Sequence, residues 1–188
     1  MTKRTLCLLG SPRRGGNSDI LAERICRRAE TEFVTLSELA YGGCQNLFRC
    51  KQDLTHCGQR DGLTPVLESV AAVEVLVLAS PVYFTNLTGQ LKLAIDRFFS
   101  FLVPDYPTAQ RKSRLEPGRT LVLVQTQGEG EARYGDLLES YAAGFTHLGY
   151  SQQHLVRAWG VREAGEVKAH PAFLARCDAV AEAVYGPV

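Results

Sequence analysis

The chain has 188 residues, 45% hydrophobic and 22% charged, with a formal net charge of +1. That length suits one domain spanning residues 1–188, able to bury about 70% of its unfolded surface without disulfide or metal staples. The near-neutral balance argues against a dedicated nucleic-acid or membrane-surface protein, and no apolar run approaches the roughly 20 residues that cross a bilayer.

The opening Met-Thr-Lys-Arg shows no signal-peptide pattern, so a cytoplasmic protein whose six cysteines are free thiols is expected. Leu6 to Leu9 is an unbroken apolar run, as in a strand buried on both faces. It breaks at Gly10 into Ser11, Pro12, Arg13, Arg14, Gly15 and Gly16. A helix follows from about Asp19 to Glu30, with Asn17 or Ser18 expected as its N-cap. A short strand is expected at Phe33 to Leu36, then an irregular cysteine-bearing segment over 37–62. A helix over 63–72 leads into a third strand, Val73 to Ala79, and the loop Ser80 to Asn86. A helix from Thr88 to Phe101 precedes a long surface excursion over 102–118. Leu121 to Gln125 is the fourth strand, followed by the loop Thr126 to Gly130. A helix from Tyr134 to Leu148, a fifth strand near His154 to Ala158 and a last helix from Ala172 to Val184 complete the chain.

Five strands alternating with helices imply a parallel sheet covered on both faces, with ligands beyond the carboxyl ends of the strands. Three loops fall there. In the first, strand, polar glycine-containing loop and helix N-terminus aim backbone N–H groups at one point, where an anion fits. A Walker loop is excluded, since Gly16 and Asn17 stand where lysine and a hydroxyl should be. A dinucleotide fingerprint is excluded because Pro12 takes its second glycine. The donors that remain, Ser11, Arg13, Arg14, Asn17 and Ser18, suit a terminal monophosphate. In the second loop Pro81, Val82, Tyr83 and Phe84 offer a resting place for a flat ligand, and Asn86 could satisfy its polar edge. The third, with Thr126, Gln127 and Gly128, supplies amides and close backbone approach.

Gly10-Ser11-Pro12-Arg13, Gly16-Asn17-Ser18, Ser80-Pro81-Val82-Tyr83-Phe84, Gln90-Leu91-Lys92 and Asp96-Arg97, in this order, resemble the NAD(P)H-dependent FMN reductase family of the flavodoxin-like superfamily. The likeness runs from residue 4 to about 128, with a looser echo at Gly160-Val161 and Gly165-Glu166-Val167. It implies an α/β three-layer sandwich on a five-stranded parallel sheet of order 2-1-3-4-5. It also implies FMN, with its phosphate at Ser11, Arg13, Asn17 and Ser18. The ring would lie against Pro81 to Phe84 and Asn86, with Thr126, Gln127 and Gly128 near its polar edge. NAD(P)H would be co-substrate and a quinone or another small acceptor would take the electrons. Such a protein holds and tunes the flavin, so no catalytic acid, base or nucleophile is assigned. A flavodoxin-type electron carrier and a flavin-free binding module on the same fold stay open as alternatives. Family members are commonly dimers or tetramers. Phe98, Phe99 and Phe101 need cover, which suggests a homodimer with that helix near the interface. Asp96 and Arg97 read as a structural or interface pair.

The resemblance reaches a related branch, the iron–sulfur flavoproteins, whose insertion carries Cys-x2-Cys-x2-Cys and a fourth cysteine. Here the positions read Cys44, Leu47, Cys50 and Cys57, one thiolate short. Zinc held by Cys44, Cys50, His56 and Cys57 does not match usual spacings. No metal is expected, and the three thiols read as loop packing. Cys7, Cys26 and Cys177 read as small core fillers.

Overall fold

The computed structural model describes residues 3–187 and places Met1, Thr2 and Val188 outside that range. Its elements in chain order are β1 (Thr5–Leu9), α1 (Asn17–Cys26), β2 (Thr31–Thr35), α2 (Arg49–Gln52), α3 (Thr64–Ala72), β3 (Val75–Pro81), α4 (Gly89–Arg97), β4 (Arg119–Thr126), α5 (Leu137–His147), β5 (Tyr150–Ala158) and α6 (Pro171–Tyr185). Single 3₁₀ turns lie at Leu36–Glu38, Phe98–Phe101 and Glu166–Ala169. All neighbouring strands pair in parallel, in the order β2-β1-β3-β4-β5. This is the flavodoxin-like sheet that the resemblance implied.

β1 and β4 are buried along their whole length because helices cover both faces of the sheet. Alternate residues feed two cores. Leu6, Leu8, Leu76, Leu78, Leu121 and Leu123 pack against α3, α4 and α5. Cys7, Val77, Val122, Val124 and Val156 pack against α1 and α6. Cys7, Cys26 and Cys177 are buried there as small fillers.

Three expectations need correction. The fifth strand begins at Tyr150, four residues early, because polar Ser151 to Gln153 occupy a sheet edge where one side faces water. One extra residue is absorbed opposite the Arg119/Thr120 step. Phe98 and Phe101 pack inside the subunit, Phe98 edge-on to Phe145, so they need no second copy to cover them. Asp96 and Arg97 are not a pair: Asp96 meets Lys92, and Arg97 turns inward to Asp61.

Arg97, only 1% exposed, organises the cysteine-bearing segment. Its Nε donates to Cys57 Sγ (2.9 Å), its Nη1 to Gly42 O (2.9 Å) and Asp61 Oδ2 (2.8 Å). Its Nη2 donates to Gln59 O (3.3 Å) and Asp61 Oδ1 (3.4 Å). All five guanidinium donors are thereby used, which is how a charge can sit this deep. Burial alone would raise the Asp61 pKa. Arg97 and the N–H groups of Gly42 and Leu63 outweigh that and hold it below the ordinary 3.8.

Candidate functional site

Loops at the carboxyl ends of the strands enclose one cleft of about 320 Å³, inside the range of small-molecule sites. Its first wall follows β1. Gly10 has to be glycine, because a Cβ there would stand 2.9 Å from both Leu91 Cβ and Thr88 Oγ1. Its carbonyl accepts from Thr88 Oγ1 (2.7 Å), and the Thr88 N–H donates to Ser80 Oγ (3.0 Å). The start of α4 therefore locks the first two loops together.

α1 opens on the cleft with Gly16 as N-cap in extended backbone and no side chain capping it. Its first N–H groups are left for a ligand, with the positive end of the helix behind them. The expected N-caps are engaged elsewhere. Asn17 donates from Nδ2 to Glu163 O (2.8 Å) and accepts the Val167 N–H at Oδ1 (3.1 Å). Ser18 donates to Asp19 Oδ1 (3.2 Å), and Ser11 Oγ accepts the Arg13 N–H (3.1 Å). Arg14 turns away to Glu38. The exposed Arg13 is thus the side chain of the five most available to an anion, and Ser11, Asn17 and Ser18 shape the loop around it. Asp19 lies buried behind the loop. Burial raises its pKa above the ordinary 3.8, opposed by bonds from Ser18 and the N–H groups of Gly16 and Gly15.

In the second loop Pro81, Val82 and Tyr83 line the cleft, with the Val82 N–H on Thr126 O (2.7 Å). Phe84 and Asn86, expected beside them, do not. Tyr83 and Asn86 exchange backbone hydrogen bonds of 2.9 and 3.1 Å across a two-residue turn. Phe84 and Thr85 at its tip have φ of +44° and +74°, strained values for these side chains. Phe84 is 100% exposed as a result, and Asn86 Oδ1 accepts from Tyr141 Oη (2.8 Å).

The third loop contributes Thr126, Gln127 and Gly128. The Gln127 amide serves the loop itself, donating to Gly130 O (2.8 Å) and Arg133 O (2.9 Å) and accepting from Gln125 Nε2 (2.7 Å). A Cβ on Gly128 would stand 3.0 Å from Arg162 Cγ.

A fourth wall, after β5, was not assigned from the sequence: Val161, Arg162 and Ala164. The faint echo at Gly160-Val161 and Gly165-Glu166-Val167 was its only signal. The loop turns at Gly160 and Gly165, with φ of +68° and +82°, and Glu166 Oε2 accepts the N–H groups of Arg162 (2.7 Å) and Glu163 (3.0 Å). Asn17 fastens it to the first wall.

The profile of the NADPH-dependent FMN reductases matches residues 4–156. The chain belongs to that family. With that membership come FMN as cofactor and a reduced nicotinamide as electron source. A Bacillus subtilis protein described as an NAD(P)H-dependent FMN-containing oxidoreductase is 24% identical over 168 residues, 88% of this chain and 90% of that one. An iron–sulfur flavoprotein of Methanocaldococcus jannaschii is 31% identical over 93 residues, so the match spans about half of each chain, 47% and 48%. Among solved structures, an NAD(P)H:quinone oxidoreductase from Methanothermobacter marburgensis superposes with a TM-score of 0.72 at 15% identity, covering 100% of both chains, and shares the fold.

The donor set fits a flavin mononucleotide. The uncapped helix and Arg13 suit its phosphate, Pro81 to Tyr83 present a flat flank, and Gly128 allows close approach of backbone. No helix among the described residues is long and apolar enough to cross a membrane.

Proposed function

We propose that this chain is an FMN-dependent oxidoreductase that draws hydride from NAD(P)H and delivers electrons to a small acceptor such as a quinone or free flavin. The observation that carries this reading is the uncapped N-terminus of α1, which opens beside Arg13 onto a cleft of about 320 Å³. Bound FMN supplies the hydride acceptance and electron release. The protein's part is to bind and orient. Arg13 and the N–H groups of Asn17 and Ser18 hold the phosphate; Ser11 and Ser18 keep that loop in shape. Pro81, Val82 and Tyr83 would hold the ring on one side, and the backbone of Thr126, Gln127 and Gly128 would serve its polar edge. Arg162 adds positive charge on the wall after β5. No side chain is assigned as acid, base or nucleophile, because a bound flavin would supply the redox chemistry itself.

The M. marburgensis neighbour, a quinone oxidoreductase by name, supports a small oxidised acceptor. A homodimer or homotetramer belongs to the same reading, since exposed Phe84 beside the cleft and exposed Leu93 on α4 are apolar groups that a second copy would cover. Sedimentation at micromolar concentration should show the oligomer; a monomer would remove that part.

The deciding measurement is the visible spectrum of the purified protein, followed by anaerobic addition of NADH or NADPH. Flavin that bleaches supports the reductase. Flavin that stays oxidised would make the chain a carrier, and failure to bind FMN on titration would overturn the site.

A further inference from the structure

The iron–sulfur group in the names of several relatives does not fit this chain. Leu47 is exposed at the midpoint between Cys44 and Cys50. Cys44, Cys50 and Cys57 do line one cavity, but it measures about 20 Å³, room for about one water. Among the described residues no group of three or more His, Cys, Asp or Glu side chains is placed to hold a metal ion.

Three thiols around one small cavity are nonetheless a chemical site. Cys57 stands between two spaces. On one side is the shared cavity. On the other is an open pocket of about 130 Å³ with buried Leu67 and Phe101 in its lining and an exposed rim that includes His56, Arg60, Glu68 and Ala71. The buried Ser100 hydroxyl in this pocket has no partner. Cys57 Sγ also accepts the Arg97 Nε–H at 2.9 Å, a buried cation aimed at the sulfur. Cys50 and Cys44 both share the cavity side with it. A Cβ on Gly58 would stand 3.2 Å from Arg49 Cβ, so the backbone beside Cys57 lies against the turn that carries Cys50. Both residues are half-buried, whereas Cys44 is exposed.

We propose that Cys57 and Cys50 form a reversible dithiol–disulfide site that exchanges with small, anionic disulfides entering the 130 Å³ pocket. The Cys57 thiolate attacks one sulfur of the incoming disulfide; the S–S bond breaks and one thiolate departs. Arg97 stabilises negative charge on the Cys57 sulfur in this displacement, and Arg60 at the rim meets the carboxylate of the entering molecule. The Cys50 thiolate then attacks the Cys57 sulfur and expels the second thiolate. Two cysteine thiols are oxidised, one disulfide is reduced to two thiols, and the two cysteine protons end on the departing thiols.

The test uses the full-length, FMN-loaded protein, purified anaerobically and incubated with glutathione disulfide. Free thiols are then alkylated and the peptides mapped by mass spectrometry. A Cys50–Cys57 disulfide with Cys44 alkylated is expected. Cys50→Ser should trap a glutathionyl adduct on Cys57, and Cys57→Ser, which keeps an acceptor for Arg97, should abolish both products. Cys44→Ser should change nothing. Pairing of Cys57 with Cys44, oxidation at an unchanged rate in Cys57→Ser, or stoichiometric iron and acid-labile sulfide in the purified protein would each overturn the assignment.

Discussion

α4 touches a different world at each end. At Thr88 it locks loops whose helix N-terminus and Arg13 are left open, whereas at Arg97 it is sewn into a segment where all five guanidinium donors are consumed within the chain. Both regions are rich in polar groups. The difference lies in how those groups are satisfied: open donors on a concave surface point to a ligand, while buried, saturated donors fix the segment that carries their acceptors. Charge alone does not separate the two, since each region is centred on an arginine.

Breaking the saturated side should have the largest effect. Arg97→Met leaves Asp61 and three other acceptors, Cys57, Gly42 and Gln59, without their donor and should cost about 3–5 kcal/mol, read as a lowered midpoint in urea unfolding. Adding Asp61→Asn should recover part of the loss. Breaking the open side should spare the fold and strike the ligand. Arg13→Ala should weaken FMN binding by about 1.5–3 kcal/mol, roughly 10- to 150-fold in Kd, with the unfolding midpoint unmoved. An unchanged Kd would sink the phosphate assignment. Gly10→Ala lies between the two regions: its Cβ meets Leu91 and Thr88, so about 1–3 kcal/mol of stability and part of the FMN affinity should be lost together.

Acid should move the two sides in opposite directions. Asp61 is held below 3.8 in the fold, so its contribution is present above that value and is lost as pH falls through the lowered one. Asp19 is held above 3.8 by burial, so its charged form costs stability near neutrality, and that cost is relieved as pH falls through the raised value. Stability–pH curves of Asp61→Asn and Asp19→Asn should deviate from the parent with opposite slopes in the acid range; slopes of the same sign would refute the contrast. The smallest effect is expected at the strained turn. Thr85→Gly should stabilise the protein by at most about 1 kcal/mol by calorimetry, as it removes a β-branched residue from φ of +74°.

Much of the open side was legible because it is local. The apolar run of β1, the break at Gly10 and the donors to Ser18 lie within 13 residues, and the position of three loops after strands follows from the alternation of elements. What depended on distant partners was hidden. Asn17 looks like a phosphate donor until Glu163 and Val167, about 150 positions away, take its amide. The wall at Val161 to Ala164 follows a strand whose first half is polar because it runs along a sheet edge. Arg97 beside Asp96 reads as half of a structural or interface pair, and only Asp61, 36 residues earlier, makes its burial possible. Phe84 follows an apolar strand and looks like a ring contact, but a tight turn carries it out of the cleft.

Arg97 also constrains the order in which the chain can assemble. α4 cannot dock on the sheet with its guanidinium bare, because an unpaired buried charge would cost several kcal/mol. Residues 41–62 must therefore close over it in the same cooperative step. That segment looks like a dispensable surface insertion, with four glycines, a single helical turn and no fully buried side chain. It nevertheless supplies every acceptor of the buried Arg97, and a shortened chain lacking it should collapse without reaching the native packing of α4.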